Sequence, residues 1–245
     1  RQGVVRNQSP VNLKANWVLA LDITEKNRKG RIVLVMGLVS EIKERWIVEV
    51  LSEKLSFEKK INLDLETRNV SSQSFNTMGV HKFNFKETFE VNENERAQAF
   101  AVALCRGDLK LKNWNHQVTQ FIARTNFVNR FYSKSLIGKF DDKEVYRLFY
   151  EICLKERTWK AIKNSNVYSY LLQIHKKDEI SLINKFAPAQ LFLFKDRKPF
   201  SLEYKNDEVF LSAKIQDLYD LKIHPTILCG EFRVTLSILG PNNLE

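Results

Sequence analysis

The spacing of the apolar residues changes twice along the chain, and this constrains the fold more than any other feature. Between residues 16 and 91, short β-rich runs alternate with polar turns, which is typical of strands. Between residues 93 and 186, apolar residues recur every three or four positions, which is typical of amphipathic helices. Short strands return after residue 190. Separate blocks of strands and helices predict an α+β fold.

The first block predicts a small barrel of the oligonucleotide-binding type. Strands are expected over 16–23 and 31–38, joined through a polar turn at 24–30. The period then changes, and Ser40 is the predicted N-cap of a helix with Glu41 in its first turn. The remaining predicted strands cover 57–65, 70–76 and 80–91. Five strands with one intervening helix favour a small barrel over a sandwich.

The second and third blocks complete a predicted three-part organisation. Helices are expected over 93–105, 116–132, 141–155, 161–175 and 178–186, with Asp141 capping the third. Strands are expected over 190–194, 199–204, 209–212 and 232–239, with helical turns over 214–221. The sequence thus predicts a β-rich domain at 1–92, a basic helical segment at 93–188, and a mixed α/β part at 189–245 that packs on the helices.

Positive charge is concentrated in the middle of the chain. The sequence carries 39 Lys and Arg against 29 Asp and Glu, a net charge of +10. Residues 105–177 hold 15 basic and 6 acidic side chains, whereas 1–104 hold 16 and 13 and 178–245 hold 8 and 10. Such a basic region favours a phosphate backbone, an acidic partner or an anionic surface. A well-solvated, lysine-rich helical face is the alternative.

Two basic segments are candidates for binding single-stranded RNA or DNA. The first is the tip of the predicted hairpin near Trp17, and the second is 106–130, where cations are interleaved with Trp114 and Phe127. Basic grooves with aromatic side chains suit unstacked bases. Alternatively, the aromatic residues lie in the core and the cations are merely solvated. The predicted nucleic-acid-binding residues are Lys26, Arg28, Lys29, Arg31, Arg106, Lys110, Lys112, Arg124 and Arg130.

Motifs of local catalysis are absent from the sequence. It has no phosphate-cradling glycine loop, no Cys-x-x-Cys pair and no nucleophile elbow, and its four histidines are isolated. The longest apolar run, 32–39, is too short to cross a bilayer, so we expect no membrane partner. Three widely spaced cysteines suit a reducing cytoplasm. Because the chain starts at Arg1, we expect a fragment of a longer protein.

The last third carries four motifs in a fixed order. They are LINKFAP at 182–188, SLEY at 201–204, VFLSAKIQDLYDL at 209–221 and FRVTLSILGP at 232–241. This order resembles the C-terminal domain of HrpB-type ATP-dependent helicases, a bacterial DEAH-box branch. Residues 17–22 and 40–55, and Trp114 with Arg124, fit the rest of that family's pattern. The sequence departs from it at 196–199, where DRKP replaces a small glycine-containing turn, and in a loop after Leu221 that is one residue shorter.

The resemblance implies that the chain lies C-terminal to two ATPase lobes, which bind ATP and magnesium and step along RNA. The chain itself would contain no catalytic residue, metal site or cofactor. It would support the motor domains and contribute sequence-independent contacts to a single strand. The alternative is a docking module that binds a protein partner without touching nucleic acid. A standalone enzyme is the third possibility that the sequence leaves open.

Overall fold

The fold is α+β, as predicted, with several small sheets and a block of helices. The computed structural model describes residues 3–5, 15–28, 30–132, 137–194 and 198–240. The chain divides into two units. Unit 1 comprises 1–62 and 71–91, and unit 2 comprises 63–70 and 92–245. The predicted three-part division at 92 and 188 stays a prediction.

Unit 1 consists of short strands and one short helix. Its elements are β1 (Gly3–Val5), β2 (Val18–Ala20), β3 (Ile23–Arg28), β4 (Arg31–Met36), β5 (Val39–Glu41), α1 (Glu44–Val50), β6 (Ser56–Leu63), β7 (Val70–Met78) and β8 (His81–Thr88). They form three sheets, in the orders β1-β4-β3, β2-β5 and β6-β7-β8. Across the described residues, hydrogen bonds between strands do not join these sheets into a closed barrel.

The strands β2 to β5 make one long antiparallel hairpin. The pairs Ala20–Val39 and Ile23–Met36 lie in the same register, and the amide of Leu21 donates to the carbonyl of Leu38 between them. Two expectations are therefore wrong. The segment 24–28 is strand rather than turn, because it continues this ladder to Arg28.

The second wrong expectation concerns the start of α1. Ser40 pairs with Leu19 in the hairpin, so the helix begins at Glu44 after an N-cap at Lys43. The carboxylate of Glu44 accepts from the indole N–H of Trp17 at 3.1 Å and from the amide of Asn84 at 3.1 Å. Backbone pairing across the hairpin therefore overrides the local capping pattern at Ser40.

Unit 2 contains the longer helices and the C-terminal sheet. Its elements are α2 (Glu93–Arg106), α3 (His116–Phe131), α4 (Asp142–Lys155), α5 (Trp159–Asn164), α6 (Val167–Ile174), α7 (Lys177–Phe186), β9 (Gln190–Leu191), β10 (Phe200–Lys205), β11 (Glu208–Lys214), α8 (Ile215–Leu218), β12 (Thr226–Ile227), β13 (Phe232–Arg233) and β14 (Thr235–Leu239). Side-chain caps start α2 to α6, at Asn92, Asn115, Asp141, Thr158 and Asn166. The predicted cap at Asp141 is thus confirmed.

The predicted helix 161–175 is two helices. Ser165 adopts an extended ψ of 148°, and the side chain of Asn166 accepts from the amide of Ser169 to start α6. A side-chain cap satisfies an amide that an uninterrupted helix would pair with a backbone carbonyl. The break ends α5 at Asn164, which determines where its lysines lie.

The core of unit 2 joins the helices to the C-terminal sheet. That sheet has the order β14-β11-β10-β9, with β11 and β14 parallel. Tyr204 on β10 is buried against Phe127 on α3, with ring centroids 5.3 Å apart. Its backbone amide donates to Gln120 at 2.9 Å. No helix in the described part of the chain is both long and apolar enough to cross a membrane.

Candidate nucleic-acid interface

The loop 107–115 presents two lysines to solvent on a buried apolar anchor. Gly107 ends α2 with a φ of +80°, a conformation that glycine adopts without strain. Leu109 and Leu111 are buried, whereas Lys110 and Lys112 are exposed. Alternate burial along the loop therefore fixes its backbone and directs both ammonium groups outward.

Helix α5 lies directly beside this loop. The amide of Lys112 donates to the carbonyl of Lys163 at 2.8 Å. The side-chain amide of Asn113 donates to the carbonyls of Asn164 and Ser165 at 3.0 and 2.9 Å. These bonds satisfy carbonyls at the end of α5 that have no partner within the helix. We call Lys110, Lys112, Lys160 and Lys163, all exposed, the loop–helix surface.

Aromatic packing holds the first residue of α5. Trp159 stacks on Phe100 of α2, with ring centroids 5.9 Å apart and planes 6° from parallel. The guanidinium of Arg68 lies 5.5 Å from the centroid of the Trp159 ring. The lysines of α5 are therefore carried by a helix that is fixed at both ends.

The charge of the loop–helix surface is not neutralised locally. Within the described ranges, no carboxylate lies within 4.0 Å of any of its four ammonium groups. Asp108 is the one acidic residue of the loop 107–115. Four exposed lysines without a described carboxylate at ion-pair distance give a surface that attracts polyanions.

The predicted cations of the helical segment have three different environments. Arg106, Lys110 and Lys112 are exposed, and Arg106 ends the helix that leads into the loop. Arg130 is exposed as well but forms an ion pair with Asp207. Arg124 is only 6% exposed, an environment that does not support its predicted contact with nucleic acid.

Arg124 instead joins α3 to the end of α7. Its Nε donates to the carbonyl of Ala187 and its Nη2 to the side-chain oxygen of Asn184, both at 2.6 Å. Burial lowers the pKa of the guanidinium from its ordinary value. The helical spacing of residue 124 places it toward the core, and the polar groups at Asn184 and Ala187 accept its protons there.

The predicted cations of unit 1 belong to one hairpin. Lys26 and Arg31 are exposed, and the register places them on the same face of the β3–β4 ladder. Arg28 pairs with Arg31 at the end of the ladder, and Lys29 lies outside the described residues. The alternative interpretation, in which Trp17 belongs to the core, gains support. The ring of Trp17 packs edge-on against buried Phe83, with ring centroids 5.1 Å apart.

Sequence reasoning missed Lys160 and Lys163. Both lie 48 or more residues from Lys112 in sequence, and a tertiary backbone hydrogen bond brings Lys163 beside it. A pair of lysines on a six-residue helix gives no sequence pattern that would predict its position beside Lys112. Within the described residues, no group of three or more metal-ligating side chains forms a metal site.

Comparison with known proteins finds a family match for the C-terminal part of the chain. Residues 149–244 match the family model described as ATP-dependent helicase C-terminal, HrpB_C. This segment, which contains α5 and the C-terminal sheet, is therefore similar to the C-terminal domains that the model describes. The resemblance to the C-terminal region of HrpB-type helicases is confirmed.

Two solved structures share the fold of nearly the whole chain. A crystal structure of the Escherichia coli DExH-box NTPase HrpB matches with a TM-score of 0.61 and 14% identity over 93% of this chain. A crystal structure of the Escherichia coli DEAH/RHA helicase HrpB matches with a TM-score of 0.61 and 15% identity over 94%. The chain spans 28% and 29% of their lengths. No curated protein shows a significant sequence match.

Proposed function

We propose that this chain is the non-catalytic accessory region of an ATP-dependent RNA helicase and holds single-stranded RNA by its phosphates. The loop–helix surface carries the proposal, because its four lysines are exposed, fixed by the fold and without a carboxylate at ion-pair distance in the described structure. Ammonium groups bind phosphates without regard to base sequence. Such contacts suit an enzyme that must move along any strand.

The family match supports the helicase part of the proposal. Residues 149–244 match a model of helicase C-terminal domains, and the fold is similar to a region of HrpB structures that are more than three times as long. The remainder of such a protein would supply ATP and magnesium binding and the stepping motion. This chain would hold the strand while the motor changes shape.

Binding of a labelled single-stranded RNA at two salt concentrations tests the proposal. We expect micromolar affinity at low salt and a steep loss as salt rises, because bound phosphates release counterions. Replacing Lys110, Lys112, Lys160 and Lys163 with alanine should weaken binding and reduce the slope of log K against log salt by about 0.7 for each phosphate that is no longer bound. Fluorescence anisotropy measures both quantities.

A charge-matched variant provides the control. Lys177, Lys185, Lys205 and Lys222 are also exposed lysines of unit 2. Their replacement with alanine removes the same net charge but leaves the loop–helix surface intact. If both variants lose the same salt dependence, binding follows net charge alone and the assignment to the loop–helix surface is wrong.

A protein-docking function is the second candidate, and an apolar face in unit 1 favours it. Leu19, Leu21, Ile23, Ile32 and Leu38 lie on one face of the long hairpin and are 50–74% exposed. An exposed apolar face of this kind is typical of an interaction surface. Absence of RNA binding at low salt would overturn the RNA-holding proposal and leave docking as the function of the chain.

A further inference from the structure

A cavity opens beside the loop–helix surface, between the end of α2, the loop 107–115 and α4. Its volume is about 290 Å³. The apolar part of its lining comprises Leu104, Leu109, Leu111, Trp114 and Phe149, and Lys110 also lines it. The cavity therefore combines an apolar floor with one of the four lysines assigned to phosphates.

Trp114 is the aromatic ring that a ligand in this cavity can reach. Phe149, Leu109 and Leu111 are 8%, 4% and 8% exposed, whereas Trp114 is half-buried. The Trp114 and Phe149 ring centroids are 5.3 Å apart with planes tilted by 56°. Phe149 thus supports the indole from the core side and holds it in one orientation.

We propose that this cavity binds one unstacked base of single-stranded RNA, with Trp114 as the stacking surface. The proposal rests on the proposed function, since it assigns a base to the strand whose phosphates the lysines hold. Every base has a π-face, so stacking on an aromatic side chain adds affinity with little sequence preference. The cavity volume lies near the roughly 300 Å³ at which pockets for small ligands begin, which suits one ring system.

The position of Lys110 favours a base over an apolar side chain of a protein. Lys110 is exposed and lines the cavity, and Lys112 follows two residues later beside Lys163. A strand with a phosphate on Lys110 would place a base beside the same cavity, because Lys110 itself lines it. An aliphatic side chain would fill the apolar floor but would leave the lysines without a counter-charge.

A comparison of ordinary and base-free RNA on the full chain tests the stacking. Both oligonucleotides have the same length of about 12 nucleotides, and the second has riboses without bases. We expect the ordinary RNA to bind about tenfold more tightly. Trp114→Ala should lower its affinity to that of the base-free RNA and leave the base-free affinity unchanged. Trp114→Phe, which keeps an aromatic ring at this position, should retain part of the difference.

Tyr219→Ala is the matched control, because Tyr219 is an aromatic residue of unit 2 that is 88% exposed and does not line the cavity. It should change neither affinity. Equal binding of ordinary and base-free RNA by the unaltered chain would overturn the base site and leave the phosphate proposal standing. Equal loss of both affinities in Trp114→Ala would also overturn it, since the residue would then act through the fold. Binding of neither RNA would overturn both proposals.

Discussion

At the scale of single residues, three arginines of the helical segment at 93–188 have a different role from the lysines of the loop–helix surface. Arg96 caps α4 by donating to the carbonyls of Cys153, Glu156 and Arg157. Arg124 is buried and Arg130 is paired with Asp207. A planar guanidinium with several donors suits fixed internal acceptors, whereas an ammonium on a flexible stem suits mobile phosphates. Much of the exposed positive charge at the candidate site is therefore carried by lysine.

Replacement of Arg124 should destabilise the fold. Arg124→Ala leaves the carbonyl of Ala187 and the side chain of Asn184 without their donors and opens a cavity in the core, so we expect a loss of about 2–4 kcal/mol in the free energy of unfolding. Arg124→Lys should also destabilise, because one ammonium does not reproduce the two-pronged contact. Denaturant unfolding measures both changes.

Arg130→Ala is the comparison for Arg124. Its ion pair with Asp207 is solvent-exposed, so the expected change is under about 1 kcal/mol. The structural role of Arg124 would be contradicted if its alanine variant were as stable as that of Arg130 and instead lost affinity for RNA.

At the scale of elements, the sequence predicts best where local chemistry decides the structure. The helices α2, α3 and α4 lie where they were predicted, because packing of one apolar face and a local cap agree. The predicted start of α1 at Ser40 is wrong, because Ser40 pairs with Leu19 across the hairpin, and local capping patterns do not contain that contact. The break at Ser165 is not predicted, because a single capping side chain, that of Asn166, interrupts an otherwise continuous apolar stripe.

The same distinction applies to the candidate site. Lys110 and Lys112 were predicted from their sequence, and their exposure follows from the alternation with Leu109 and Leu111. Lys163 joins them only through the hydrogen bond from the amide of Lys112. A contact between segments about 50 residues apart is invisible to patterns read over a few helical turns.

The turn between β6 and β7 is an element whose stability should depend on pH. Asp64 accepts from the hydroxyl of Thr67 at 2.6 Å and from the amides of Glu66 and Thr67. These bonds, above all that from the hydroxyl, lower the pKa of Asp64 from 3.8. A lowered pKa in the folded state means that the stabilisation is complete above the ordinary pKa and is lost as pH falls through the folded value.

Thr67→Val tests this element, because it removes the hydroxyl while keeping the shape of the side chain. The pKa of Asp64, measured by a carboxyl NMR titration, should rise toward 3.8. An unchanged pKa would show that the amides alone hold the carboxylate.

At the scale of the whole molecule, the two units differ in how much apolar surface they bury. Among the described residues of unit 1, four apolar side chains are buried, namely Val35, Ile47, Phe75 and Phe83. In unit 2, the hydrophobic core cluster has 31 buried members within the part of the chain that the structure describes. Because each buried side chain contributes about 1.5–3 kcal/mol to the gross hydrophobic stabilisation, the units should differ in stability.

Hydrogen exchange on the unaltered chain should therefore show two levels of protection. We expect amides of β7 and β8 near Phe75 and Phe83 to open at a free energy at least about 2 kcal/mol below those of α2, α3 and α4. Mass spectrometry of peptides from 71–91 and 97–128 resolves the two sets. Equal opening free energies, with one denaturant transition for all probes, would show a single cooperative unit instead. If unit 1 is the less stable unit, the exposed apolar face of its hairpin belongs to the domain whose folded state a bound partner would stabilise most. The reason is mass action, because a partner that binds only the folded state raises the free energy of unfolding.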